Sequence, residues 1–83
     1  MPLDQLKMAR KKAIGTKQVL RAVENKGASL VFVAQDADAT ILGKIKTSCN
    51  TQGVKIEPVK TKTQLGEACG IDVGAATAAI LKD

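Results

Sequence analysis

The chain has 83 residues, a net charge of +5 and a pI near 9.5, with 45% hydrophobic and 25% charged residues. That suffices for one water-soluble domain with a small core and points to an anionic partner. Histidine is absent, the two cysteines form no CxxC pair, Phe32 is the only aromatic and no apolar run nears the ~18 residues of a membrane span. These facts argue against transition-metal sites, Cys–His catalysis, transmembrane helices and modules that stack bases on several rings.

In chain order, Pro2 and Asp4 can start a short helix that buries Leu3, Leu6 and either Met8 or Ala9. Arg10-Lys11-Lys12 is a basic run, followed by a short strand at Ala13-Ile14 and then Gly15. Thr16 is the expected N-cap of a second helix, which runs to about Lys26 and stops at Gly27 as its C′ glycine. Leu30-Val31-Phe32-Val33-Ala34 is a continuous apolar run and predicts a buried central strand. Asp36 or Asp38 caps a third helix with Ile41, Leu42, Ile45 and Cys49 inside and Lys44 and Lys46 outside. After Gly53, residues 54–59 alternate as a half-exposed strand does, and Pro58 marks an edge. Thr61-Lys62-Thr63-Gln64 has capping-box spacing for a fourth helix ending at Gly70. Residues 71–74 read as a loop. Ala75 to Leu81 is small and apolar and fits helix or strand; strand is chosen, because a central strand beside Leu30–Ala34 has both faces covered.

The alternation predicts a single-domain, three-layer α/β/α sandwich with a four-stranded mixed or parallel sheet. Neither repeat nor linker interrupts it. Cys49 and Cys69 fall at core positions, as reduced, buried thiols of a cytoplasmic protein do.

The charge is lopsided. Residues 1–26 hold seven basic and two acidic residues, whereas residues 27–83 hold six of each. Within the basic part, Lys17, Gln18 and Arg21 fall in one arc of roughly 100° on the second helix, opposite Val19, Leu20 and Val23. Two cations and an amide at a helix N-terminus suit a polyanion; a plain solvated face is the alternative. Asp36 and Asp38 could form a Mg²⁺ site, but a turn plus a helix cap explains them more simply. Residues 70–76 imitate a glycine-rich phosphate loop without the Lys-Ser/Thr of a Walker loop.

Three segments in register carry a resemblance. Gly15-Thr16-Lys17-Gln18-Val19-Leu20-Arg21 resembles the Gly-x-Asn-Glu-x-x-Lys signature of the kink-turn-binding ribosomal proteins, the L-seven-Ae and L-thirty-e superfamily. Val31 to Asp38 resembles its strand and acidic turn. Lys62 to Ile71 resembles its block Lys-x-x-Leu-Gly-x-Ala-Cys-Gly-Val/Ile. The length and the Lys17-Gln18 variant are most similar to the bacterial YbxF-type members. The resemblance implies an RNA partner containing a kink-turn, a duplex sharply bent at a short bulge beside tandem sheared G·A pairs. It assigns Lys17, Gln18 and Arg21 to the G·A edges and places Gly15 and Thr16 with them among the RNA-binding residues. Asp38, Leu42, Lys62, Ile71, Asp72 and Val73 surround the bulge, with Ile71 and Val73 as an apolar floor or, alternatively, as strand entry into the core. The basic run from Arg10 to Lys12 would meet phosphates. Lys17-Gln18 in place of Asn-Glu exchanges a carboxylate acceptor for a cation, and Ala39 stands where proline is usual.

The resulting expectation is a monomeric, non-enzymatic RNA-binding protein with no cofactor, metal or membrane partner, and with the ribosome as a further setting. The rivals are an L-thirty-e-like structural ribosomal protein and a small nucleotide-binding or protein-docking domain that uses the Gly70–Gly74 loop.

Overall fold

The computed structural model describes residues 2–82. Four helices and four strands alternate: α1 (Pro2–Met8), β1 (Lys12–Ile14), α2 (Thr16–Glu24), β2 (Ala28–Ala34), α3 (Ala39–Gln52), β3 (Ile56–Val59), α4 (Lys62–Cys69) and β4 (Thr77–Leu81). The sheet order is β1-β4-β2-β3, with β4 antiparallel to both of its neighbours and β3 parallel to β2. The sheet is therefore mixed, and Pro58 does lie on an edge strand. The expected three-layer α/β/α sandwich is the fold observed.

β2 explains the layering. Its residues alternate between two cores, Phe32 and Ala34 facing one and Val31 and Val33 the other. Leu6, Leu65, Ala68 and Cys69 from α1 and α4 cover the first face. Val19, Val23, Ile45 and Cys49 from α2 and α3 cover the second. Phe32, Leu6, Ile45, Leu65, Val19, Val23 and Val31 are all fully buried, and each large side chain contributes about 1.5–3 kcal/mol. β4 alternates likewise, Ala78 to one core and Ala79 to the other. Small side chains suit a strand pressed between neighbours on both edges and helices on both faces.

Several local expectations change. Thr16 does not cap α2; it is the first helical residue, and Gly15 occupies the cap position. The α2 helix ends at Glu24, and the left-handed residue beyond it is Lys26 (φ 60), not Gly27. The Lys26 and Gly27 amides donate to the Val23 and Ala22 carbonyls, which closes the turn whichever residue takes the positive φ. Met8 is 83% exposed, so Leu6 and Leu3, not Met8, anchor α1. The strand at 54–59 starts at Ile56. Asp38, not Asp36, caps α3: its side chain accepts from the Thr40 amide at 2.8 Å. Among the described residues no helix is long and apolar enough to cross a membrane, and no cluster of His, Cys, Asp or Glu could hold a metal ion.

Cys49 and Cys69 are free and buried, and they belong to cores on opposite faces of the sheet. Burial pushes both thiols above their ordinary pKa, while Lys12 pulls Cys69 weakly the other way. A thiol reagent at neutral pH is expected to leave both unmodified in the native state and to label both after unfolding. A native disulfide would contradict the sheet between them.

Thr77 is fully buried, and its hydroxyl has no hydrogen-bond partner among the described residues. Such a group costs about 1–3 kcal/mol. Thr77→Val keeps the β-branched shape and removes the hydroxyl, so thermal denaturation is expected to give a Tm raised by several degrees. A lower Tm would mean that the hydroxyl is satisfied.

Candidate nucleic-acid interface

β1, β2 and β3 all run against β4, or beside a strand that does, so the three point the same way. Each passes directly into a helix. The N-termini of α2, α3 and α4 therefore gather at one end of the sheet, as do the turn after β2 and the loop before β4. Each terminus brings orphan N–H groups and a partial positive charge.

The three termini are finished differently. In α3 the Asp38 carboxylate accepts from Thr40, and the Asp38 carbonyl accepts from Leu42. In α4 the Thr61 hydroxyl accepts from the Gln64 amide at 3.1 Å, and Asp36 Oδ1 accepts from the Lys62 amide at 2.8 Å. The α2 terminus has no side-chain cap. Gly15 takes φ 97 and ψ 151, a conformation that a side chain disfavours. Its amide donates to the Thr77 carbonyl and its carbonyl accepts from Val19. The chain thus turns from sheet into helix on one glycine, before Thr16 can act as a cap. The first amides of α2 are left for an outside acceptor.

Around that terminus Lys17, Gln18 and Arg21 are exposed and Thr16 is half-buried, while Val19 and Val23 are fully buried. Leu20 is half-buried beside α3. Gln18 and Arg21 also line a groove of about 400 Å³ between α2 and the edge strand β1, with Lys12 and Asn25. A larger groove between α2 and α3, about 670 Å³, is lined by Leu20, Glu24, Gly43 and Thr47 among others, and by none of the expected site residues.

The loop of residues 71–74 is held against α4. A Cβ on Gly66 would fall on the Val73 carbonyl, and one on Gly74 would meet the Lys62 side chain at 3.0 Å. The Ile71 amide donates to the Gly66 carbonyl and the Ala75 amide to the Lys62 carbonyl. Ile71 is half-buried on the α1/α4 core, Asp72 is exposed, and Val73 is 70% exposed. The two expected floor residues thus divide, with Ile71 largely structural and Val73 offered to solvent on a fixed backbone. Leu42 is half-buried against the α2/α3 core. Asp38 and Lys62 are exposed at their helix starts.

Gly15, Thr16, Lys17, Gln18, Asp38, Leu42, Lys62, Ile71, Asp72 and Val73 therefore sit at the same end of the sheet, with Arg21 one turn further along α2. Arg10 and Lys11 do not. They precede β1 at the other end, where the Leu81 amide donates to the Lys11 carbonyl. Sequence reasoning weighed Asp36 as a cap or carboxylate pair and Gly66 as part of the family block, but missed their contacts with Lys62 and Val73. Both have a signal in the sequence, but a cap and a helical glycine carry no address for a partner 26 residues away or in the next loop. The Gly70–Gly74 loop follows a helix and enters a strand, the reverse of a phosphate-binding loop; its Gly74 serves packing.

A family model described as the ribosomal protein L7Ae/L30e/S12e/Gadd45 family matches residues 2–83. The chain belongs to that family. It is similar to the RNA-binding protein TTE2299 of Caldanaerobacter subterraneus subsp. tengcongensis, at 48% identity over 69 residues, 83% of this chain and 84% of that one. It is also similar to the RNA-binding protein YbxF of Geobacillus stearothermophilus, at 42% identity over 99% of this chain and all of the other. Among solved structures, the Giardia lamblia 15.5kD RNA binding protein superposes with a TM-score of 0.89 at 30% identity, covering 99% of this chain and 72% of that chain. The superposition thus takes in nearly all of this chain, within a longer one.

Two helical glycines test the loop's anchorage. Nothing lies within 4 Å of a Cβ on Gly43, so Gly43→Ala is expected to raise stability by about 0.5–1 kcal/mol. Gly66→Ala must push the loop away and is expected to lower it by about 1–3 kcal/mol. Thermal melts of both variants check this, and equal effects would mean that the loop does not rest on α4.

Proposed function

We propose that this chain binds RNA and that it recognises and stabilises kink-turns in structured RNA, ribosomal or regulatory. Membership of the L7Ae/L30e/S12e/Gadd45 family and relatives named RNA-binding proteins support the RNA part and give no ground for an enzyme. The observation that carries the kink-turn part is the uncapped α2 terminus with Lys17, Gln18 and Arg21 exposed beside it.

The major groove of a regular RNA duplex is too narrow for side chains. A sharp kink opens it, and a helix terminus can then enter. Free amides, a positive dipole and Lys17 meet the polyanion there. Arg21 has the planar fork that suits a guanine O6/N7 edge, while Gln18 offers a donor and an acceptor. At the neighbouring helix starts and the loop before β4, Lys62, Asp38 and the exposed Val73 suit a nucleotide already out of its stack. Asp36, Asp38 and Asp72 put negative charge near the phosphates, which weakens attachment to RNA in general and leaves shape to decide. Lys17-Gln18 shifts the contact towards charge. The same reading makes the protein a cytoplasmic monomer, with the ribosome as one setting for its RNA.

The test is titration of the protein with a kink-turn duplex and a straight duplex of equal length. The kink-turn is expected to bind more tightly. Arg21→Ala is expected to weaken that binding by about 1–3 kcal/mol with circular dichroism unchanged, because the side chain lies outside both cores. Equal affinities for the two duplexes would contradict the proposal. Undiminished affinity in a folded Arg21→Ala protein would remove this face of α2 from the site.

A further inference from the structure

Three hydrogen-bonded segments close a ring at the site end of the sheet. From Ala34 the chain turns to Asp36, whose Oδ1 accepts from the Lys62 amide at 2.8 Å. The Lys62 carbonyl accepts from the Ala75 amide at 3.0 Å, and the Ala76 carbonyl accepts from the Ala34 amide at 2.8 Å, which returns the ring to β2. The ring joins the three segments that carry Asp38, Lys62 and Val73. Two of its links are backbone to backbone. The third depends on one side chain, Asp36.

The two aspartates of the turn therefore have separate tasks. Asp38 caps its own helix, and its bond spans two residues. Asp36 reaches 26 residues along the chain and caps the first amide of a different helix. Asp36 is exposed and packs into neither core, so removing it leaves both hydrophobic layers intact. Without it Lys62 keeps its bond to Ala75, and α4 keeps Thr61 as cap. What is lost is the one side-chain tie from the acidic turn to the first turn of α4; the Gln35 amide still donates to the Val59 carbonyl at the end of β3, so the turn stays attached but Asp38 is less tightly set against Lys62 and Val73.

We propose that Asp36 is a positioning residue that sets the shape selectivity of this site, acting through the Lys62 backbone and not through contact with RNA. The assignment rests on the kink-turn reading above. Side chains held in a set arrangement select an unstacked nucleotide; side chains free to shift meet kinked and straight RNA more nearly alike. Asp36 thus governs the ratio of two affinities more than either one.

Charge and geometry are separable here. Asp36→Ala and Asp36→Asn both delete a negative charge beside a polyanion, and both should bind straight RNA somewhat more tightly. Only Asn retains a side-chain oxygen that can accept from the Lys62 amide. Fluorescence anisotropy titrations of wild type and both variants, each with a kink-turn and a straight duplex at raised salt, read the ratio directly. Asp36→Ala is expected to lose about ten-fold in preference, the equivalent of one hydrogen bond, and Asp36→Asn to keep it within about two-fold. A purely structural role would lower the melting temperature and leave the ratio unchanged. Two results overturn the inference: an unaltered preference in a folded Asp36→Ala protein, or a loss in Asp36→Asn as large as in Asp36→Ala. If Asp36→Ala does not fold, Asp36→Asn decides, retained preference supporting the inference and lost preference overturning it. Wild type with no preference would instead overturn the kink-turn reading itself.

Discussion

The direction of three strands governs this molecule. β1, β2 and β3 run the same way because β4 is inserted antiparallel between the first two. Each of these strands is followed by a helix that packs back on the sheet, so every one of them ends in a helix start. Three positive helix termini are thereby forced to one end of the sheet, whatever the residues there. Ligand sites of α/β folds gather at the carboxyl ends of strands for the same reason. The cores serve this arrangement: Phe32 and Val31, adjacent in sequence, hold opposite layers together and fix the end of β2 from which the acidic turn departs.

Three such termini in one place repel each other and attract anions, and the fold treats them unequally. Asp38 and Asp36 place carboxylates on α3 and α4. At α2 a glycine with positive φ turns the chain before a cap can form. The unsatisfied amides are therefore concentrated on the one helix whose exposed face also carries Lys17 and Arg21. The other two termini, already bonded internally, form a rigid rim. Gly66 completes the rim by letting the 71–74 loop lie flat on α4 with Val73 exposed.

Most of the architecture was legible in the sequence because it follows from periodicity and punctuation. The apolar run ending at Ala34, the helical spacing of Ile45 and Cys49, and the left-handed glycines at 53 and 70 each have a local cause. The choice of strand for residues 75–81 also followed from a local fact, small apolar side chains that suit a doubly covered strand. Boundaries were less legible. Thr16 has the chemistry of a cap, but the Gly15 amide is taken by the Thr77 carbonyl, and this long-range bond decides where the helix begins. Lys26 takes the left-handed position although a glycine follows, because the Schellman pairing is set by the last turn of the helix and not by the residue best suited to it. The grouping of site residues came from the family resemblance, and physical spacing alone would not have joined Arg21 to Val73. The contacts of Asp36 and Gly66 were out of reach for a further reason: their partners are defined only after the sheet has brought separate segments together.

RNA is proposed to meet the helix-terminus end of the sheet through the open α2 start. Amide chemical-shift mapping of the isotopically labelled protein, titrated with an unlabelled kink-turn duplex, tests it most directly. The largest perturbations are expected at Thr16, Lys17 and Gln18, with further ones at Asp38, Lys62, Asp72 and Val73, and little change at Lys11, Lys26 and Lys82 at the opposite end. Perturbations concentrated at that opposite end, with the α2 amides unmoved, would contradict it.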